Sequence, residues 1–235
     1  MSSQAQTDDL DRVTPALLRG ADEVCPRRLA LEHGSVRKPS RLGDGPFEVA
    51  NRLTQDAIAW HKAGDPTTPG FPEPLDLEVE QQAVYRAASG AYARMFGAAT
   101  VEVHDLGWSS DFPELGVRMY SSVGIAVVDE HGSHELRVLR IGARGLLDSV
   151  DLRCLLLRTH EWAHESLRVV AADLLEYNSI EYDIDVVARI DEAREWLAER
   201  VAAIRARADK KRAHAGADCR ACAFIPGCPP ITKSL

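Results

Sequence analysis

The sequence predicts a single α/β domain, on two observations. Apolar side chains recur near helical spacing in the first third of the chain and again near its end, while the middle switches to short runs rich in Val and Ile with period two. At 235 residues and 45% hydrophobic side chains, the chain can bury a sizeable core and is not disordered. The order of helices, a cluster of strands, a helix, more strand and a last helix suits one α/β domain. No internal repeat is visible.

Residues 1–13 are polar and are expected to form a flexible N-terminus, followed by one domain over residues 14–235. A short helical entry on Pro15, Ala16, Leu17 and Leu18 leads into a turn carrying Cys25. Residues 47–63 read as a helix through Val49, Leu53, Ala57, Ile58 and Trp60. Pro66, Pro69, Gly70, Pro72 and Pro74 make 64–75 a loop, and 76–97 return to helical pattern through Leu77, Val84, Tyr85, Ala88, Tyr92 and Met95. Residues 100–103, 117–120, 123–128 and 135–140 read as strands, with 129–132 as the turn between the last two. Residues 146–164 read as a helix. Residues 167–177 and 179–186 read as a hairpin about Asn178. Residues 189–212 read as a long amphipathic helix with Ile190, Ala193, Leu197, Val201 and Ile204 on one face.

Net charge is 28 − 36 = −8. A protein gripping phosphates over its whole surface is usually basic, so any nucleic-acid contact is expected to be local. Arg27, Arg28, Arg37, Lys38 and Arg41 form one basic segment, and Arg200, Arg205, Arg207, Lys210, Lys211 and Arg212 another. Such runs are usually solvated faces, and beside a DNA site they contact phosphates. With no apolar run of membrane-spanning length and no leader pattern, the expected compartment is the reducing cytoplasm, with no membrane partner. Clustered cysteines there read as metal ligands before disulfides.

Cys219, Cys222 and Cys228 are spaced C-x2-C-x5-C among Gly and Pro. Three thiolates are one short of a closed tetrahedral or cluster site, and Cys25 is the candidate fourth. Four unrelated buried thiols would need neither the spacing nor the Gly-Pro punctuation. Cys154 lies on an apolar helical stretch and reads as a core residue.

The Cys25-Pro26-Arg27-Arg28-Leu29 element, the downstream cysteines and a small mixed sheet between them resemble the RecB-like nucleases of the PD-(D/E)xK superfamily, in the branch that carries an iron–sulphur staple. That branch includes CRISPR-associated exonucleases. The resemblance implies a restriction-endonuclease-like core, a small mixed sheet flanked by helices. It further implies a 4Fe–4S cluster on Cys25, Cys219, Cys222 and Cys228 that staples the N- and C-terminal segments. Zinc is the rival occupant of four thiolates. The implied partner is DNA, single-stranded or carrying an end, with a protein partner supplying activity if this chain has none.

Such nucleases hold Mg²⁺ or Mn²⁺ with an Asp and the first residue of a (D/E)-x-K, often beside a helical His, because two carboxylates fix the metal that polarises the phosphate. Here the Asp position reads Gly124, or Ala126 in a shifted register. The next strand gives Val138 and Arg140 for the carboxylate and the Lys. Thr54 stands where the His is expected, and His61 falls two turns later. Arg binds phosphate but is a poor proton shuttle. The expectation is therefore a nuclease-like, DNA-binding protein with a degenerate active site and a structural or regulatory role. Active metal-dependent cleavage by displaced carboxylates is the first alternative.

His160-Glu161-Trp162-Ala163-His164 matches His-Glu-x-x-His. On a helix both His would share one face with Glu161 as base, a zinc metallohydrolase and the second alternative. A polar helix end explains the motif as well. Asp183 and Asp185 could pair as carboxylates or line an exposed strand face. Trp108, Phe112 and Tyr120 could stack bases, though core packing is the commoner fate of aromatics.

Overall fold

The structure is a computed structural model and describes residues 10–22, 25–33, 45–63, 70–97, 99–121, 124–142 and 147–208. It is a mixed α/β fold with six α-helices and two mixed sheets among those residues. The larger sheet has the order β2–β5–β6–β7–β8, built from β2 (Val101–His104), β5 (Ile125–Asp129), β6 (His134–Arg140), β7 (Ser166–Asp173) and β8 (Asn178–Asp185). Its pairs are antiparallel except β6–β7, which is parallel and joined through helix α5 (Ser149–Thr159).

Strand alternation loads both faces of this sheet. Ala126, Leu136, Val138, Leu167, Val169 and Ile184 face a core shared with α5 and helix α6 (Val186–Arg207). Ile125, Val127, Leu139, Ile141, Ala172 and Leu174 face a second core under helices α3 (Gly45–Lys62) and α4 (Val79–Phe96). The smaller sheet has the order β1–β4–β3, from β1 (Asp11–Val13), β3 (Ser109–Phe112) and β4 (Val117–Tyr120). Its Val13, Phe112, Val117 and Met119 enter the first core together with helix α1 (Pro15–Arg19) and Leu29 of helix α2 (Pro26–His33).

Several expectations are corrected. Residues 11–13, read as frayed N-terminus, form β1 in parallel register with Val117–Met119 of β4. Residues 109–112, read as no element, form β3, and Phe112 is buried in the core rather than open to a base. The predicted hairpin has its turn at 174–177 instead of at Asn178. Asp173 Oδ1 accepts from the backbone N–H of Leu175 at 3.0 Å and of Glu176 at 3.3 Å, and Tyr177 takes the left-handed conformation with φ 54°. The last helix starts at Val186, earlier than predicted, because Asp185 caps it by accepting from the Ala188 N–H at 2.9 Å. The helix predicted over 146–164 is shorter at both ends. Asp148 starts it with a reciprocal cap on Asp151, and it stops at Thr159. Trp162 then turns onto the sheet between the rings of His104 and His134, 5.7 and 4.7 Å away.

The C-terminal half of α6 is tied to the N-terminal elements. Arg200 pairs with Asp22, Arg205 with Asp11 at 3.2 Å, and Arg207 donates to the Ala21 carbonyl at 2.5 Å. His33 completes this patch with Nε2 3.0 Å from Asp11. Burial pushes the His33 pKa down.

Docking of α6 depends on its apolar stripe. Leu197→Ala is expected to cost about 2–5 kcal/mol, since Leu197 is fully buried. Val187→Ala, at an exposed site on the same helix, should stay within about 0.5 kcal/mol. Urea denaturation of both variants checks the pair.

Candidate functional site

The positions that the resemblance marks for catalysis do not converge. Gly124 lies one residue before β5. A Cβ there would sit 2.7 Å from Leu136 Cδ1 and 3.2 Å from the Arg137 carbonyl oxygen, so the buried Leu136 fills the space a carboxylate would need. Ala126, the shifted alternative, is buried against the same core. Val138 is buried there too. Arg140 lies 3.8 Å from Asp151, in a charge cluster where Arg19 reaches Asp148 at 2.7 Å and Asp151 at 3.1 Å. The hydrogen bond from Arg19 holds the Asp148 carboxyl below its usual range. Thr54 is on α3, over the opposite face of the sheet, and its hydroxyl donates to the Ala50 carbonyl at 2.8 Å.

That opposite face carries the densest buried chemistry among the described residues. Arg137 projects from the middle of β6 and is 3% exposed. Its Nε donates to Glu135 at 2.6 Å, and its guanidinium stacks 4.5 Å over the Phe96 ring. Its Nη1 lies 3.4 Å from both Tyr92 Oη and His61 Nε2. His61 Nε2 and Tyr92 Oη are 2.8 Å apart. Nε2 is therefore the acceptor, with Tyr92 and Arg137 as donors, which requires a neutral ring. Burial, reinforced by the Arg137 charge, lowers the His61 pKa to about 4, and burial pushes Tyr92 up to about 12. The charges continue outward, from Glu135 to Arg168 at 3.8 Å and from Arg168 to Glu181 at 2.5 Å. The only sequence signal for this cluster was a Glu-x-Arg alternation on an otherwise apolar strand.

Glu135 also lines an open cleft of about 850 Å³ with Asp129, Glu165, Arg168, Asp183 and Asp185. Asp183 and Asp185, read as candidate paired carboxylates, both line it, with Asp185 engaged as the cap of α6. Asp129 is committed to its turn, where its Oδ1 accepts from the backbone N–H of His131 at 2.9 Å and of Ser133 at 2.8 Å. Among the described residues no group of three His, Cys, Asp or Glu is placed to hold a metal ion.

The His-Glu-x-x-His reading is corrected. Its residues lie past the end of α5, in the turn at 160–165, so His160 and His164 do not share a helical face. His160 Nδ1 donates to the Leu157 carbonyl at 2.9 Å and Nε2 accepts from Arg194 at 3.0 Å. Both ring nitrogens are used. Glu161 and His164 are exposed.

Of the cysteine set, Cys25 is half-buried immediately before α2, while Cys219, Cys222 and Cys228 lie outside the described residues. Cys154 is fully buried in α5 as expected, its thiol pushed up to about 12 by burial. Arg27 and Arg28 are half-buried on α2, where each makes contacts within the fold. Arg37, Lys38 and Arg41 lie outside the described residues. Arg200, Arg205 and Arg207, candidate phosphate contacts on α6, pair in this structure with the N-terminal elements. Trp108 is exposed, and Tyr120 lies under the Arg12 guanidinium at 4.7 Å. No helix among the described residues is long and apolar enough to cross a membrane.

No protein-family model and no curated protein matches this sequence. Among solved structures the chain is similar to one described as the crystal structure of SSO0001, at 11% identity and a TM-score of 0.33, over 94% of this chain and 86% of that one. At that score no shared fold is demonstrated.

Two measurements test the buried cluster. Glu135→Gln is expected to cost about 3–5 kcal/mol, because it leaves Arg137 charged in a dry site. Adding Arg137→Met should recover much of that loss in urea denaturation. The folded pKa of His61, about 4, lies below the unfolded value of about 6.5, so its contribution to stability is lost as pH falls through that window. The stability difference between wild type and His61→Gln should therefore shift towards the variant between pH 6.5 and 4.

Proposed function

We propose that this chain is an iron–sulphur, nuclease-like protein that binds DNA without cutting it. The observation that carries the loss of cleavage is the environment of the implied metal positions. Leu136 occupies the space at Gly124, Val138 is in the core, and Arg140 is drawn to Asp151. A divalent cation has no carboxylate pair to bind there.

The staple draws support from the end of α6. Arg200 and Arg207 hold that end against Asp22 and Ala21, a few residues before Cys25. The last described turn of α6 thus lies beside the segment that leads to Cys25. When bound, a 4Fe–4S cluster would cross-link thiolates from both ends. Arg27, Arg28, Arg37, Lys38 and Arg41 would supply the phosphate contacts. A second reading, cleavage by displaced carboxylates, would draw on Glu135, Asp183 and Asp185, which line one cleft without forming a metal-holding group among the described residues.

Anaerobic purification with iron, sulphide and zinc analysis tests the staple. About four irons per chain are expected, lost in Cys25→Ala and Cys228→Ala. Zinc without iron would overturn the cluster. On end-labelled single-stranded DNA with Mg²⁺ or Mn²⁺, no cleavage is expected, and cutting abolished by Asp183→Asn would establish the second reading. Binding should weaken with salt at a log–log slope of about −3 to −4, from five phosphates at about 0.7 each. A flat salt response would remove DNA as the partner.

A further inference from the structure

The larger sheet ends on one side at β8, and among the described residues no strand pairs with its outer edge. The backbone N–H and C=O groups turned outward along such an edge are a template for another strand. Folded proteins blunt these edges with short strands, Pro, bulges, Lys or a covering element. The opposite edge follows that rule, since β2 is four residues long and packs beside α3. The β8 edge does not. It runs eight residues in unbroken register with β7 and contains no Pro, Gly, Lys or Arg. Residues 178–181 are exposed, including Ile180 at 42%.

The two faces of β8 differ. Ser179, Glu181, Asp183 and Asp185 lie on one, and Ile180, Tyr182 and Ile184 on the other. The acidic face continues into the open cleft of about 850 Å³, where Asp129, Glu135, Glu165, Asp183 and Asp185 stand against Arg168 and His134. Val187, 67% exposed at the start of α6, lines the same cleft. A second copy of β8 fits this edge poorly. Antiparallel pairing about a two-fold axis would set the acidic residues of the two copies opposite one another on one face, where like charges repel. The same row favours a strand with cations at alternate positions and apolar side chains between them.

We propose that β8 takes up an extended basic segment of a partner protein as an added strand. Main-chain hydrogen bonds along the open edge supply the attachment. Lys or Arg side chains lie over Glu181, Asp183 and the acidic cleft, and apolar ones lie on the side of Ile180. The proposal is independent of DNA binding and of the iron–sulphur staple.

The test measures fluorescence anisotropy of labelled heptapeptides with the full chain, one alternating Lys and Val and one alternating Glu and Val. The Lys peptide is expected to bind and the Glu peptide not to. Glu181→Lys combined with Asp183→Lys should weaken the Lys peptide about tenfold or more, with circular dichroism confirming the fold. N-methylation separates strand addition from attraction of charge alone. In an extended peptide the Lys N–H groups point to one edge and the Val N–H groups to the other. Methylating one set should abolish binding and methylating the other should leave it. That comparison decides on the wild-type chain if the double variant does not fold. No binding of the Lys peptide, equal effects of the two methylated sets, or undiminished binding in the double variant would each overturn the proposal. So would a dimer of the free chain that Ile180→Lys dissolves, which would give the edge to a second copy.

Discussion

The structure turns on the burial of β6 on both faces. Leu136 and Val138 enter the core under α5 and α6, while Arg137 and Leu139 enter the one under α3 and α4. A central strand with no solvated face has no neutral position for a new charge. A carboxylate at Val138 would pay the full desolvation cost without a partner. A carboxylate at Gly124 would also have to displace Leu136. A metal site on this face would therefore require rebuilding the core.

Arg137 is the exception that the strand tolerates, and its surroundings explain how. It has a carboxylate at 2.6 Å, an aromatic face at 4.5 Å and two side chains on the helices above as acceptors or neighbours. An ion pair of this kind is a poor source of stability compared with apolar packing, and it penalises any arrangement that separates its members. Here it links α3, α4 and β6, so it fixes where the helices sit over the sheet. His61 must stay neutral for this to work, since its ring accepts from Tyr92.

Much of the fold was legible because its signals are local. The turn at 129–132 is set by Asp129 and Gly132, and α4 by its apolar stripe. The α6 stripe was legible as well, although the Asp185 cap moved its start. Of the small sheet only β4 was legible. Three residues at 11–13 pair in parallel with 117–119, and a parallel pairing across that separation leaves no local mark. The end of α5 was also hidden, because Trp162 leaves the helix to pack between two histidines on other strands. The candidate site divided in the same way. Spacing suggested the cysteine set, three of whose members lie outside the described residues, whereas the Arg137 cluster needs α3, α4 and β6 in place before its members meet.

The arginines of α6 show how a charge pattern acquires partners in the fold. Read along the helix, Arg200, Arg205 and Arg207 look like a phosphate-binding face. In the fold each meets a carboxylate or carbonyl of the N-terminal segment, and His33 joins the same patch through Asp11. In a chain with eight more acidic than basic residues, a cation has many intramolecular partners to choose from. An arginine paired with a carboxylate must give up or share that partner before it can neutralise a phosphate. Arg27 and Arg28 on α2 also make contacts within the fold, so the proposed phosphate contacts beside Cys25 would have to be gained at the expense of those contacts.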